Sequence, residues 1–201
     1  MKRNITITAL LMSFMLLTGC LVGSKPMSVT YTVRPNSLLK DYIVYLVVND
    51  KRPEMDLVGP SAREKGLFPE LMTGRFDLKV TVPEGSNVSV TNLTTIEAVR
   101  EAVSRRLQSQ GVTTTAQRAA AHLTVEVDID QMIIDVAESD LVARVSLSSR
   151  IYRDSAMVVK SNAGAVSNRM KLIGGTGGAT VLSEALSQAI NDLDFAGVNR
   201  F

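Results

Sequence analysis

Cysteine, histidine and tryptophan are nearly missing from this sequence, which has one Cys, one His and no Trp in 201 residues. A lone Cys has no partner for an intramolecular disulfide and supplies too few thiolates for a Cys-based zinc site or an iron–sulfur cluster. With His122 as the only imidazole, a Ser-His-Asp triad or a His-containing metal site has a single place to form. No Ser sits in a Gly-x-Ser-x-Gly elbow. Glu126, Asp128 and Asp130 follow His122 at two-residue steps on an expected strand. Such steps of about 6.6 Å spread their oxygens instead of converging them. No catalytic residue, metal or cofactor is therefore expected. Apolar runs are scarce too: at most one approaches the twenty residues of a spanning helix, which excludes a polytopic membrane protein.

Charge of one sign is also lacking. The 22 basic and 20 acidic residues give +2, and both excess cations, Lys2 and Arg3, precede the apolar run Ala9 to Leu17. Charge, apolar run and small residues before Cys20 make up an export signal. Its end, Leu17-Thr18-Gly19-Cys20, resembles the lipobox of bacterial lipoproteins. That resemblance implies a diacylglyceryl group on the Cys20 sulfur, cleavage before it, and acylation of the new amino terminus. Leu21, where an Asp would signal retention, implies transfer to the outer membrane by likeness to enterobacterial sorting signals. The expected organisation is a signal at 1–19, a lipidated Cys and tether at 20–26, and one domain at 27–201. Without Lys2 and Arg3 the chain carries 20 basic against 20 acidic residues, so charge gives no reason to expect nucleic acid or anionic lipid as a partner.

Within the domain, Val29, Tyr31 and Val33 alternate with polar residues as in a half-buried strand, and Tyr42 to Val48 is apolar nearly throughout, as in a central strand. Asn49 to Gly74 is punctuated by Pro53, Gly59, Pro60, Gly66 and Pro69 and reads as one long loop. Phe76 to Val82 returns to strand alternation. Thr94 and Glu97 form a capping box for a helix with Ile96, Val99, Val103 and Leu107 on one stripe, Glu101–Arg105 as an exposed pair, and Gly111 as its closing glycine. Three strand patterns follow, at His122 to Val136, Leu141 to Tyr152 and Met157 to Val166. All place apolar residues at odd positions, which predicts an antiparallel meander. On its even face Glu126, Asp128 and Asp130 are expected to confront Arg144 and Arg150. After the glycines 174–178 comes a helix with Val181, Leu182, Ala185, Leu186, Ala189, Ile190 and Leu193 on one face. Asp192 and Asp194 lie at the end of that helix which disfavours them.

These elements predict an α+β two-layer domain: a mostly antiparallel five- or six-stranded sheet with two amphipathic helices on one face. Their order, with Asn49-Asp50-Lys51-Arg52-Pro53 after the central strand and Ala185 to Leu193 in the closing helix, resembles the YajG-like lipoprotein family. The resemblance implies an envelope location and no catalytic residues. Asp50 and Arg52 are read as either a partner-recognition or loop-ordering pair, or an ordinary turn with Arg52 solvated. Phe68, with Leu57, Val58, Leu67, Leu71 and Met72, is either core under the loop or an exposed docking patch. The favoured function is a non-enzymatic accessory or docking lipoprotein of the outer membrane, facing the periplasm, with an envelope protein as partner and no nucleotide. The alternatives are an auxiliary lipoprotein of a transport or lipopolysaccharide-assembly machine that binds a lipid-like ligand in an apolar cavity, and a lipid-anchored envelope hydrolase working through carboxylates.

Overall fold

The structure, a computed structural model, describes residues 26–34, 41–83, 87–170, 177–196 and 198. The signal, Cys20 and residues 174–176 of the glycine cluster lie outside the described residues. The strands are β1 (Ser28–Thr32), β2 (Ile43–Asp50), β3 (Arg75–Thr81), β4 (Asn87–Thr94), β5 (Thr113–Thr115), β6 (Leu123–Ala137), β7 (Asp140–Arg153) and β8 (Ala156–Met170). The helices are α1 (Pro60–Glu64), α2 (Thr95–Ser109) and α3 (Gly177–Asp192).

The fold is α+β in two layers, as the sequence predicts, but its strands divide between two sheets, ordered β5-β2-β6-β7-β8 and β1-β3-β4. The antiparallel meander β6-β7-β8 is as expected, whereas β2 runs parallel to both neighbours and β1 parallel to β3. Parallel pairing follows from the connections, since α2 carries the chain back over the sheet before β5 and β6 begin. One face of β2 is deeply covered, at Val44 and Val48, while Tyr45 and Val47 on the other stay half-buried. The structure thus departs from a strand covered on both sides.

The predicted capping box forms: the Thr94 hydroxyl accepts from the Glu97 amide at 3.4 Å, and a Glu97 carboxylate oxygen accepts from the Thr94 amide at 2.8 Å. These bonds satisfy two of the amides left open at a helix start. They also hold the Glu97 carboxyl below its ordinary value. Ala98, Val99, Ala102, Val103 and Leu107 of α2 are buried, and so is the whole predicted face of α3. The small sheet turns Val29, Tyr31, Phe76, Leu78 and Val80 into the same core, and all five are fully buried.

In the meander, Ile129 pairs with Leu147 but Gln131 pairs with Ser146, so Asp130 sits in a bulge. One extra residue reverses the parity of everything after it. Met132, Ile134 and Val136 therefore point inward, and Ile133 is only half-buried. This corrects the expectation that odd positions are buried along the whole of β6. The turn from β7 to β8 has Asp154 and Ser155 both at positive φ, 48° and 70°. Its mirror-image twist matches that of the flanking strands.

Helix α3 also does the work of a missing strand. The free edge of β1 needs partners for alternate backbone groups about 6.6 Å apart, and residues four apart on a helix rise about 6 Å. Ser183, Ser187 and Asn191 use that match: their side chains accept from the amides of Thr30 (2.8 Å), Thr32 (3.1 Å) and Arg34 (3.3 Å). Ser187 and Asn191 also donate back to the Thr30 and Thr32 carbonyls, at 3.3 and 2.8 Å. Replacing Ser187 and Asn191 with alanine is expected to cost about 1 kcal/mol each in urea denaturation. The opened edge should also raise light scattering on storage.

Candidate functional site

The long loop leaves β2 through a tight charged turn. Asp50 accepts from the Arg52 amide at 3.2 Å, as an ordinary Asp turn does, and then takes the Arg52 guanidinium in a two-pronged grip, with Nε at 2.9 Å and NH2 at 2.7 Å. The guanidinium is not solvated: the Arg52 side chain is 4% exposed and that of Asp50 9%. Arg52 also donates to the Met132 carbonyl at 3.2 Å and to the Thr95 hydroxyl at 3.4 Å. Three segments meet at this one cation: the end of β2, the start of α2 and the stretch of β6 just past its bulge. Burial works against the Asp50 charge, but the Arg52 hydrogen bonds outweigh it and hold the carboxyl below its ordinary value. Of the functions read for Asp50 and Arg52, this arrangement is loop ordering, since the charges face each other instead of solvent.

Beside the pair lies an open groove of about 500 Å³ bordered by Arg52, Glu54, Asp56, Asp130 and Ile133. Asp56 is engaged by Arg63 at 2.5 Å, and Arg63 also reaches the Val58 carbonyl at 2.9 Å. The loop beyond is more ordered than a structureless run. Val58 bridges Ile134, and α1 starts against β6 with the Asp135 carboxylate accepting from the Ala62 amide at 2.8 Å. A strand side chain thereby caps a helix whose own N-cap is Gly59. Leu57, Val58, Phe68 and Leu71 are buried, whereas Met72 is exposed. Phe68 is thus core and not part of an exposed docking patch. It adopts a left-handed backbone, φ 56°, and its ring lies where a Cβ on Gly178 would be. Gly177 is similarly pressed by Leu141. Close packing of the helix start on Phe68 and Leu141 thus accounts for both glycines.

On the outer face of the meander, Arg150 pairs with Asp128 at 2.7 Å and Glu126 at 3.3 Å, and Asn49 donates to Asp128 at 2.9 Å. The expected ladder is narrower than its sequence. Asp130 is lifted out by the bulge, and Arg144 lies opposite Ile133. His122 Nδ1 accepts from the Ile43 amide at 3.2 Å, and the His122 amide donates to the Ile43 carbonyl. It fastens β6 to β2. Among the described residues no group of three or more His, Cys, Asp or Glu is placed to hold a metal ion, and no helix is long and apolar enough to cross a membrane.

Nothing in the residue pattern singled out Arg106, a buried cation of α2. The side chain of Arg106 on α2 crosses to the end of α3 and donates to the Ile190 and Leu193 carbonyls, the latter at 2.7 Å, with its guanidinium 4.7 Å from the Phe195 ring centre. Burial lowers its pKa, and Asp192 and Asp194 are among the groups that oppose this. Those two carboxylates, unfavourable beside a bare helix C-terminus, lie where Arg106 brings a positive charge. Arg34 adds a second cation 3.5 Å from Asp192.

No family model matches the chain, and no curated protein matches it, so the YajG-like resemblance stands on element order and short motifs alone. Among solved structures the chain is similar to a Xanthomonas campestris protein of the family DUF330, at 14% identity and a TM-score of 0.49, covering 86% of this chain and 92% of that one. A Chlamydia trachomatis protein aligns at 12% identity and a TM-score of 0.45, over 81% and 95% of the two chains. The lipoprotein GNA1162 of Neisseria meningitidis aligns at 13% identity and a TM-score of 0.30, over 68% and 90%.

Proposed function

We propose that this chain is an outer-membrane lipoprotein, held through Cys20 and facing the periplasm, that serves as a non-enzymatic accessory or docking component of the cell envelope. The observation that carries the reading is the first twenty residues: Lys2 and Arg3, the apolar run, and Leu17-Thr18-Gly19-Cys20 around the only thiol of the chain. Each methylene of an attached acyl chain contributes about 0.8 kcal/mol on entering the bilayer, so two or more chains make the anchor effectively permanent. The domain is consistent with such a role. Several of its charges pair with one another, at Asp50–Arg52, Arg150 with Glu126 and Asp128, Asp56–Arg63 and Glu101–Arg105. Helix α3 packs on β7 and β8, and its Ala185, Leu186 and Ala189 are fully buried, which supports a solid core over a ligand carrier.

The test is metabolic labelling with a fatty acid in a Gram-negative host. The wild-type chain is expected to carry the label and to run as the shorter, processed form. Cys20→Ser should carry none and accumulate as the precursor. Normal processing of Cys20→Ser would falsify the anchor. Fractionation of the labelled protein then decides between outer and inner membrane.

A further inference from the structure

The geometry points to a second membrane contact, made by the folded domain: the cleft at Met55 and Met72 rests in the headgroup layer, so that the domain lies against the lipid surface in one fixed orientation. This inference rests on the Cys20 anchor. Its starting point is where the chain enters the fold. The Met27 carbonyl accepts from the Asp77 amide at 2.8 Å, and Ser28 pairs with Asp77, so the tether leaves the domain beside the start of β3. From Cys20 to Met27 are seven steps, about 23 Å when fully extended. Met72 is five residues before Asp77, so at most about 18 Å of chain separates it from the exit point. The surface around Met72 is therefore nearer to the exit than the tether is long.

That surface carries apolar side chains which the fold leaves uncovered. Met55 is 62% exposed and Met72 46%, and both line one small cleft with Gly74 and the buried Leu57, Val58 and Leu71. Long unbranched thioether side chains adapt to an irregular surface and gain by leaving water without demanding a shaped pocket. Cations stand beside them. Arg63 borders the same cleft, and Arg75, exposed and donating to the Asn92 carbonyl at 2.8 Å, begins β3. The Asp56 carboxylate and Arg63 are paired at 2.5 Å and offset each other, so Arg75 is the neighbouring cation not engaged in that pair.

The opposite end of the domain supplies an internal control. Met157 is 55% exposed, but it pairs with Tyr152, which pairs with Thr124 at the beginning of β6. The tether end is linked instead to the close of β2, through Arg52 and the Thr95 hydroxyl next to Thr94, the partner of Arg75. Met157 therefore lies at the far end of the sheet from the exit.

The chain has no tryptophan, so each substitution Met72→Trp, Met55→Trp and Met157→Trp introduces a sole indole at an exposed site. The lipidated mature protein carrying each is reconstituted into phosphatidylethanolamine–phosphatidylglycerol vesicles, and half of each sample contains brominated acyl chains. Flotation is measured on the same samples. Expected are co-flotation of all three, and, for Met72→Trp and Met55→Trp, a blue-shifted emission with several-fold stronger quenching than for Met157→Trp. Equal, weak quenching of all three in floating samples overturns the docked orientation and leaves the anchor standing. Failure of all three to float overturns the anchor, and the docking with it. Circular dichroism of each variant checks that the fold is kept, and Met55→Trp serves if Met72→Trp misfolds.

Discussion

Arg106→Ala should lower the unfolding free energy by about 4 kcal/mol, because two helix-end carbonyls lose charge-assisted hydrogen bonds in a place water does not reach. The acceptors are Ile190 O in the last turn of α3 and Leu193 O just past its end, and the donor belongs to α2. The substitution therefore unties two elements that touch each other little elsewhere. Alanine also removes the guanidinium stacked over Phe195, and the vacated volume adds a cavity cost. Arg106→Met separates these contributions: it keeps most of the volume, so it should recover the packing part and leave the two carbonyls unsatisfied. Urea denaturation followed by circular dichroism gives both numbers. A loss below 1 kcal/mol for alanine would show that the helix end finds other partners. Asp192 and Asp194 should become liabilities in the same variant, so neutralising Asp192 should recover stability there more than it does in the parent protein.

Removing Arg52 should be of similar size, about 3–5 kcal/mol, for a different reason: Asp50 is left as a buried charge without its partner. Here pH is the diagnostic. The Asp50 carboxyl titrates below its ordinary value of 3.8 in the folded chain, so the unfolded chain takes up the proton first as acid is added. The stabilisation is complete above the ordinary carboxylate range and is lost as pH falls through the folded value. In Arg52→Met, with Asp50 left largely buried and without its partner, the folded carboxyl should instead rise. Stability should then improve on mild acidification before other carboxylates titrate. A pair of denaturation midpoint curves over acidic to neutral pH, bending in opposite senses, is the expected result. Parallel curves would show that Asp50 is solvated once Arg52 is gone. The double variant Asp50→Asn, Arg52→Met should be less destabilised than Arg52→Met alone, since neither charge is then left unpaired.

Much of this fold could be read in the sequence wherever one residue pattern was enough. The α3 face from Val181 to Leu193, the Thr94–Glu97 box, the Glu101–Arg105 pair and the meander each depend on spacing along a single segment. What escaped depends on partners far away. Val88 and Val90 do alternate in Asn87 to Thr94, but the strand is half-exposed throughout, so its contrast was faint. β5 is three threonine residues long and exists because β2 offers it an edge. The bulge at Asp130 was hidden because Met132, Ile133 and Ile134 are all apolar and fit either parity. Arg106 adjoins the half-buried Arg105 and differs from it in what α3 brings within reach. The same holds for the loop. Asp50 and Arg52 were recognisable as a pair, but their burial needed Thr95 and Met132. Phe68 was legible as apolar, and its fit against Gly178 was not. Cys20 was read from local pattern alone.

The hydrogen bonds between β1 and α3 join residues 153 to 160 positions apart, nearly the full span of the domain. Until the final helix has been synthesised, the amides of Thr30, Thr32 and Arg34 have no protein acceptor on that side, and closing so long a loop is slow. One edge of β1 thus stays open until α3 has been made, whatever its pairing with β3 on the other side. Assembly of the domain around its first strand is deferred to the arrival of its last helix.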